Sequence, residues 1–294
     1  MKAEKVQDSG NPTGHGKPED WPKYIGDQGW ENYTSEEHGV WKTLFERQKE
    51  IVKGRACKEY LDGIAALEMD QTQIPNFEEA SKILKTKTGW EVVAVKGLIP
   101  DLPFFQLLAE RKFPAGNFIR KPEQMDYIEE PDVFHDFFGH VPLLANPVFA
   151  DYMEAYGKGG LKAHEHGTIT NLARLYWYTV EFGLIQQEDG MRIYGAGILS
   201  SPGETKFAVE SDSPNRIGFD LKRVMQTNYR VDDYQQSYFV IDSFDQLFSE
   251  TYADFSKLYE EIKQDKTEYA PEDIAGSDNV FTKGTQEYAK SKDR

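Results

Sequence analysis

Between positions 34 and 62, the apolar residues Trp41, Leu44, Phe45, Ile51 and Val52 recur at helical spacing. That pattern predicts one long helix from Thr34 or Ser35 to about Asp62, with Gly63 beyond it. A second helix is expected after Asn76. Trp90 to Val95 alternates in part and is β-branched, which predicts a strand. Gly97 to Asp101 reads as a turn, followed by a short helix near Pro103–Glu110. Asn146-Pro147 is an N-cap followed by a first-turn proline. It opens a helix with a buried stripe of Phe149, Tyr152, Met153 and Tyr156, ending at Gly157. A strong helix is predicted from about Thr170 to Gln186, then a Gly-rich, hairpin-like segment from Met191 to Gly203. Ser243 to Gln246 forms a capping box for a late helix carrying Leu247, Phe248, Tyr252, Phe255 and Tyr259. Residues 1–20 are rich in Gly, Pro and charge and predict a loose arm. Residues 264–294 are polar, lack heptads, and predict a peripheral or partly disordered tail. With no repeat and no low-complexity linker, residues 21–263 read as one domain, mainly α with a few short β-strands.

Composition narrows the class. The chain has 294 residues, enough to bury a sizeable core, and its 18 Phe, 16 Tyr and 5 Trp predict an aromatic-rich interior. The net charge of −16, without a basic patch, argues against nucleic acid as a partner. Cys57 is the only cysteine, so an internal disulfide is impossible, as suits a reducing cytosol. The polar opening has no signal-peptide core, and no uncharged run approaches the roughly 20 residues that span a bilayer. The expectation is a cytoplasmic, soluble protein with no membrane partner.

The chemistry concentrates in Pro131–Pro142, PDVFHDFFGHVP. Two of the six histidines, His135 and His140, stand five apart in an apolar segment. In a regular α-helix five steps turn a side chain by roughly 140°, so both rings can face one point only if the backbone departs from it. Gly139 and Pro142 supply the departure, as a helix end or as a wide turn of the kind found at functional sites. On the Thr170–Gln186 helix, Ala173, Tyr176, Trp177, Val180 and Glu181 share one apolar face, yet that face carries a carboxylate. A buried Glu without a partner is costly, and a metal removes the cost. Two imidazoles and one carboxylate match the facial triad of non-haem Fe(II) oxygenases, which leaves open positions for oxygen, water or substrate. Zinc is the rival metal, although the His-Glu-x-x-His spacing of many zinc hydrolases is absent. Core histidines and a solvated Glu remain the plainer alternative. Arg120 could bind a carboxylate bidentately, and Gly195–Ser201 is small enough to line a pocket.

Together these residues resemble the pterin-dependent aromatic amino acid hydroxylases. The matching strings are EPDVFHDFFGHVPLL (130–144), YWYTVEFGL (176–184) and YGAGILSSPGE (194–204), with a weaker match at GLIPDLPFF (97–105). The resemblance covers about residues 35 to 260 and implies that the domain is the family's catalytic domain. It implies Fe(II) on His135, His140 and Glu181, with O2 as co-substrate. It implies a tetrahydropterin, tetrahydrobiopterin or a related bacterial pterin, near Gly97, Leu98, Ile99, Asp101, Phe104, Asp136, Ala173 and Tyr176. Asp136 stands where animal members usually carry Glu. For the aromatic amino acid, the implied positions are Arg120 for the carboxylate and Tyr127, Trp177, Gly197, Ser200 and Val231 for the pocket. Ile128-Glu129 replaces the Thr-Pro pair of animal enzymes, so one hydrogen bond to the amino acid is absent or replaced.

Trp177 fits phenylalanine and tyrosine hydroxylases better than tryptophan hydroxylases, and Val231 matches a position apolar in phenylalanine hydroxylases. The expectation is phenylalanine 4-hydroxylation to tyrosine, with tyrosine or tryptophan hydroxylation as alternatives. A non-catalytic pterin- or amino-acid-binding protein on the same fold is a further one. No long N-terminal extension is present that could house a regulatory domain, and the tail lacks the apolar heptads of a tetramerising helix. A minimal, bacterial-type monomer is expected.

Overall fold

The structure, a computed structural model, describes residues 14–126, 128, 130–251 and 254–292. Helices dominate. In chain order the elements begin with β1 (Ile25–Gly26), α1 (Ser35–Val52), α2 (Lys58–Ala66), α3 (Phe77–Lys87), β2 (Glu91–Val95), α4 (Asp101–Ala109) and β3 (Lys112–Gly116). A π-helical turn, Phe134–His140, precedes α5 (Pro147–His166) and α6 (Ile169–Tyr176), and a second, Trp177–Glu181, follows α6 directly. Then come β4 (Leu184–Gln187), β5 (Gly190–Ile193), α7 (Ala196–Leu199), α8 (Pro202–Glu210), β6 (Asn215–Gly218) and α9 (Leu221–Met225). The chain closes with β7 (Ser237–Ile241), α10 (Phe244–Thr251), α11 (Ser256–Gln264), β8 (Val280–Thr282) and α12 (Glu287–Lys292). The strands make two small sheets, ordered β1-β2-β3 and β5-β4-β7-β6-β8.

Local chemistry explains the element starts. Thr34 and Glu37 form a reciprocal capping box on α1, and Asn76 accepts from the first N–H groups of α3. Asn146 caps α5, with Pro147 in its first turn. The aromatic residues close the core around the first π turn. Phe134 stacks on Phe138 at 4.8 Å, and Trp41 meets Phe134 edge-on at 5.4 Å. Such contacts hold a helical segment that backbone hydrogen bonding alone would leave strained.

Several boundaries differ from the sequence reading, each for a visible reason. The long first helix is broken at Lys53–Cys57, because the chain leaves the helix to exchange hydrogen bonds with Ile193 through Arg55 and Cys57. Gly63 lies inside α2, where a Cβ would collide with the Pro142 carbonyl. Gly157 does not end α5, which runs on to His166 and stops at left-handed Gly167. Gly157 and Gly160 instead let α4 come close, since side chains there would strike Ala109 and the Phe105 ring. The Thr170–Gln186 helix ends at Glu181, and its last residues become β4. The hairpin precedes rather than fills 191–203, whose later residues are helical (α7 and the start of α8). The late helix is two helices, and Tyr252 lies outside the described residues.

The described residues nearest each end depart most from expectation. His15 and Gly14 carbonyls accept from Leu102 and Asp101 N–H groups, so the described part of the arm is tied to the start of α4. The tail stays at the surface but is ordered against the body. It adds β8 antiparallel to β6 and buries an Arg223–Asp278 ion pair at 3.0 Å.

Candidate metal and amino acid site

The two π turns bring the three expected ligands together. A π turn closes i→i+5, so residues five apart stand one above the other. His135 and His140 are therefore neighbours, with Nε2 atoms 3.3 Å apart. Tyr60 donates to the Phe138 carbonyl at 2.8 Å, satisfying a backbone group inside the widened turn. Glu181 ends the second π turn, its carboxylate 3.2 Å from His140 Nε2 and 3.6 Å from His135 Nε2. A single cation with ligand bonds of about 2.0–2.2 Å gathers three cis donors at such separations. Among the described residues this is the one group of three or more such donors placed to hold a metal.

The protonation states suit that role. Burial pushes the His135 imidazole down to about 4. Ser200 Oγ lies 2.9 Å from His135 Nδ1 and donates to the Ala196 carbonyl at 2.8 Å. With that hydroxyl proton engaged, Nδ1–H must be the donor, which leaves the Nε2 lone pair facing the ligand cluster. Burial opposes ionisation of Glu181, yet the adjoining imidazoles outweigh it and hold the carboxyl below its usual range. Burial likewise opposes protonation of His140, yet the Glu181 carboxylate holds its imidazole above its usual value, a positive charge that a bound cation would replace, so two imidazoles and one carboxylate fit an iron ion.

The remaining expected residues fall on two sides of this centre. On one side, Phe104 meets Tyr176 edge-on at 5.8 Å, and Tyr176 lies parallel to His140 at 6.3 Å. Ala173 sits half-buried one helical turn before Tyr176 on α6. Asp136 accepts from Gly116 N–H at 2.7 Å, while burial pushes its carboxyl up to about 7. Gly97 adopts a left-handed φ of 78°, Leu98 is exposed, Ile99 is buried, and Asp101 begins α4 beside His15. Of these, Phe104 and Tyr176 form an aromatic run that ends at His140.

On the other side, a cavity of about 590 Å³ is lined by His135, Glu181, Arg120, Trp177, Gly197, Ser200 and Val231. Tyr127 lies outside the described residues. Gly197 allows the close approach, since a Cβ there would meet Phe182 at 2.9 Å and the Glu181 carboxylate at 3.2 Å. Arg120 differs from its sequence reading in one respect. Its fork is already engaged by buried Asp132, through Nε at 2.8 Å and Nη2 at 2.9 Å, so only the far edge is offered to a ligand. Ser200 also differs, because its hydroxyl lies against the metal ligand His135.

Four residues that the sequence reading gave no role line the cavity (Gln235 and Glu204) or brace its wall (Asp132 and Tyr229). Asp132 fixes Arg120. Gln235 accepts from Trp177 Nε1 at 2.9 Å. Tyr229 stacks on Trp177 at 4.3 Å. Glu204 is buried, accepts from the Tyr238 hydroxyl at 2.7 Å, and burial pushes its carboxyl up to about 7. The argument that singled out Glu181, a carboxylate among apolar neighbours, applies equally to Asp132. Gln235 and Glu204 give no comparable signal.

Comparisons with known proteins agree with this geometry. The profile of the family described as biopterin-dependent aromatic amino acid hydroxylase matches residues 29–275. A phenylalanine-4-hydroxylase from Caulobacter vibrioides is 56% identical over 268 residues, covering 91% of each chain. The crystal structure of Chromobacterium violaceum phenylalanine hydroxylase with iron(III) and 7,8-dihydrobiopterin is similar at TM-score 0.84 and 54% identity, over 88% of this chain and 93% of that one. The iron- and phenylalanine-bound structure of the same enzyme is similar at TM-score 0.84 and 51% identity, over 91% and 96%. With the family profile spanning most of the chain and the ligand geometry in agreement, this protein belongs to the biopterin-dependent aromatic amino acid hydroxylases.

Proposed function

We infer that the protein is a phenylalanine 4-hydroxylase, converting L-phenylalanine to L-tyrosine with O2 and a tetrahydropterin at a non-haem Fe(II) centre. One observation carries the reading: His135 and His140 with Glu181 open onto a cavity with an aromatic wall at Trp177 and a guanidinium at Arg120. Bound iron and reduced pterin supply the activation of oxygen. The protein's own residues do the rest. Arg120, held by Asp132, presents its remaining N–H groups to the substrate carboxylate. Trp177, braced by Tyr229 and Gln235, packs against the substrate ring and excludes water. Val231 keeps that wall apolar, which favours phenylalanine over the more polar tyrosine. Gly197 leaves room beside Glu181, and Ser200 keeps His135 in its coordinating tautomer. We assign Gly97, Leu98, Ile99, Asp101, Phe104, Asp136, Ala173 and Tyr176 to the pterin, and Tyr127 to the substrate pocket.

The same reading includes action as a monomer in the cytoplasm. Cys57 as a single buried cysteine supports it, and no helix among the described residues is long and apolar enough to cross a membrane. The test loads the apoprotein anaerobically with Fe(II), adds phenylalanine and a tetrahydropterin, admits oxygen and measures tyrosine. Tyrosine forms if the reading holds. None, with iron bound and pterin reduced, sinks it. Tyrosine and tryptophan as competing substrates then report the preference, and size-exclusion chromatography the oligomeric state.

A further inference from the structure

The family profile ends at residue 275, yet the chain beyond it returns to the amino acid cavity. Its route is anchored by backbone contacts. Gly284 N–H donates to Asn215 Oδ1 at 2.9 Å, and Tyr288 N–H to Ser213 Oγ at 3.0 Å. Gln286 N–H donates to the Ser213 carbonyl at 2.9 Å. A side chain at Gly284 would collide with the Ser213 and Pro214 backbone, so the close approach needs glycine there.

From that anchor, α12 reaches the rim of the cavity. The Tyr288 ring lies parallel to Tyr234 at 5.1 Å and also meets Phe207 at 5.1 Å. Its hydroxyl donates to Asp233 Oδ1 at 2.8 Å, and Lys292 Nζ sits 3.3 Å from Asp233 Oδ2. Burial works against ionisation of Asp233, but the Tyr234 N–H, Tyr288 and Lys292 outweigh it and hold the carboxyl below its usual range. One end of the rim segment is thus clamped by the tail.

The other end touches the substrate wall. Gln235 follows Tyr234, and its carboxamide accepts from Trp177 Nε1 while donating to the Arg230 carbonyl at 2.9 Å. Tyr229, at the start of the segment, stacks on the Trp177 ring. Val231 lies between them on the cavity side.

We propose that the C-terminal helix is part of the amino acid site: Tyr288 and Lys292, by holding Asp233 and Tyr234, fix the 229–235 rim and through it the plane of Trp177. They are positioning residues, acting through the rim on a wall that touches the substrate. The proposal rests on the phenylalanine reading above, and its test keeps the two separable because iron content and tyrosine formation are measured in the same samples.

The test compares the full-length, iron-loaded chain with Tyr288→Ala, Tyr288→Phe and Lys292→Ala. Two quantities are read: KM for phenylalanine against kcat and pterin KM, and amide hydrogen exchange across 229–236 in the metal-loaded protein without substrate. Tyr288→Ala should raise KM for phenylalanine at least about tenfold, more than it lowers kcat, with pterin KM and iron content unchanged. Exchange across 229–236 should quicken. Tyr288→Phe keeps the ring stack and loses only the hydroxyl contact, so it should show a smaller rise of the same kind and remain folded. If either KM or rim exchange stays at the parent value in folded Tyr288→Ala or Tyr288→Phe, the tail is only a stabilising appendage and the proposal fails. Loss of tyrosine formation by the parent protein would instead count against the function itself.

Discussion

His135, His140 and Glu181 reach a common point because two helices widen at the right turn. Trp177, Arg120 and Val231 stand where they do because other side chains and a loop hold them. The metal half is therefore a backbone construction buried among phenylalanines. The amino acid half is a chain of side-chain contacts running out to the rim. A backbone construction tolerates loss of one ligand without unfolding. A contact chain passes a disturbance along to each member, so the two halves should fail differently.

The largest effect should come from the metal half. Glu181→Ala or His135→Ala should abolish iron binding and tyrosine formation while far-UV circular dichroism stays close to that of the parent. Unfolding of both variants would mean that the ligands, not the phenylalanines, hold the π turns. Next is the ion pair beneath the amino acid. Asp132→Ala strands the buried Arg120 guanidinium and should cost about 3–5 kcal/mol in denaturant unfolding. It should also weaken phenylalanine binding far more than metal binding, and equal losses of both would erase the distinction between the halves.

Glu204 sharpens the comparison through pH. Burial pushes its carboxyl up to about 7 in the folded protein, from 4.5 in the unfolded chain. Between those values the unfolded chain has released the proton and the folded one still holds it. Stability therefore falls as pH rises through 4.5 to 7 and is flat with respect to this group above that window. Glu204→Gln removes the penalty, so its stability relative to the parent should improve from pH 4.5 to pH 8 by up to about 3 kcal/mol. A difference independent of pH would show that Glu204 is ionised in the fold. The smallest effect belongs to the residue shared by both halves. Ser200→Ala frees the His135 ring and should weaken iron about 10- to 100-fold, read by chelator competition, with the fold unchanged.

The sequence made the metal half more legible than the amino acid half, and the reason is physical. Ligands announce themselves as charges or imidazoles in apolar company, and the five-residue spacing of His135 and His140 demanded a backbone departure. The second π turn carried no such warning, because Trp177 and Glu181 are four apart and fit an ordinary helix. The pterin and substrate positions came from resemblance, not from pattern. Gln235, Tyr229 and Tyr288 are ordinary polar or aromatic residues whose meaning depends on long-range contacts, and periodicity does not report those. The overrun at Lys53–Cys57 has the same origin: a strand 136 positions later supplies the hydrogen bonds that break the helix. The tail reads as solvated because its strand pairs with β6 mostly through its backbone, while its side chains remain largely exposed.

The π turns have a genetic consequence. A π turn is an α-helix holding one surplus residue. Deleting one codon between His135 and His140 would leave the histidines four apart, and four steps of a regular helix turn a side chain by only about 40°, so the two rings would still share a face. What the deletion removes is the widened turn itself, with the Phe138 carbonyl that the Tyr60 hydroxyl satisfies. The surplus residue of the first segment therefore serves the packing of the turn more than the facing of its two ligands, and a single in-frame deletion there should lower stability before it abolishes metal binding.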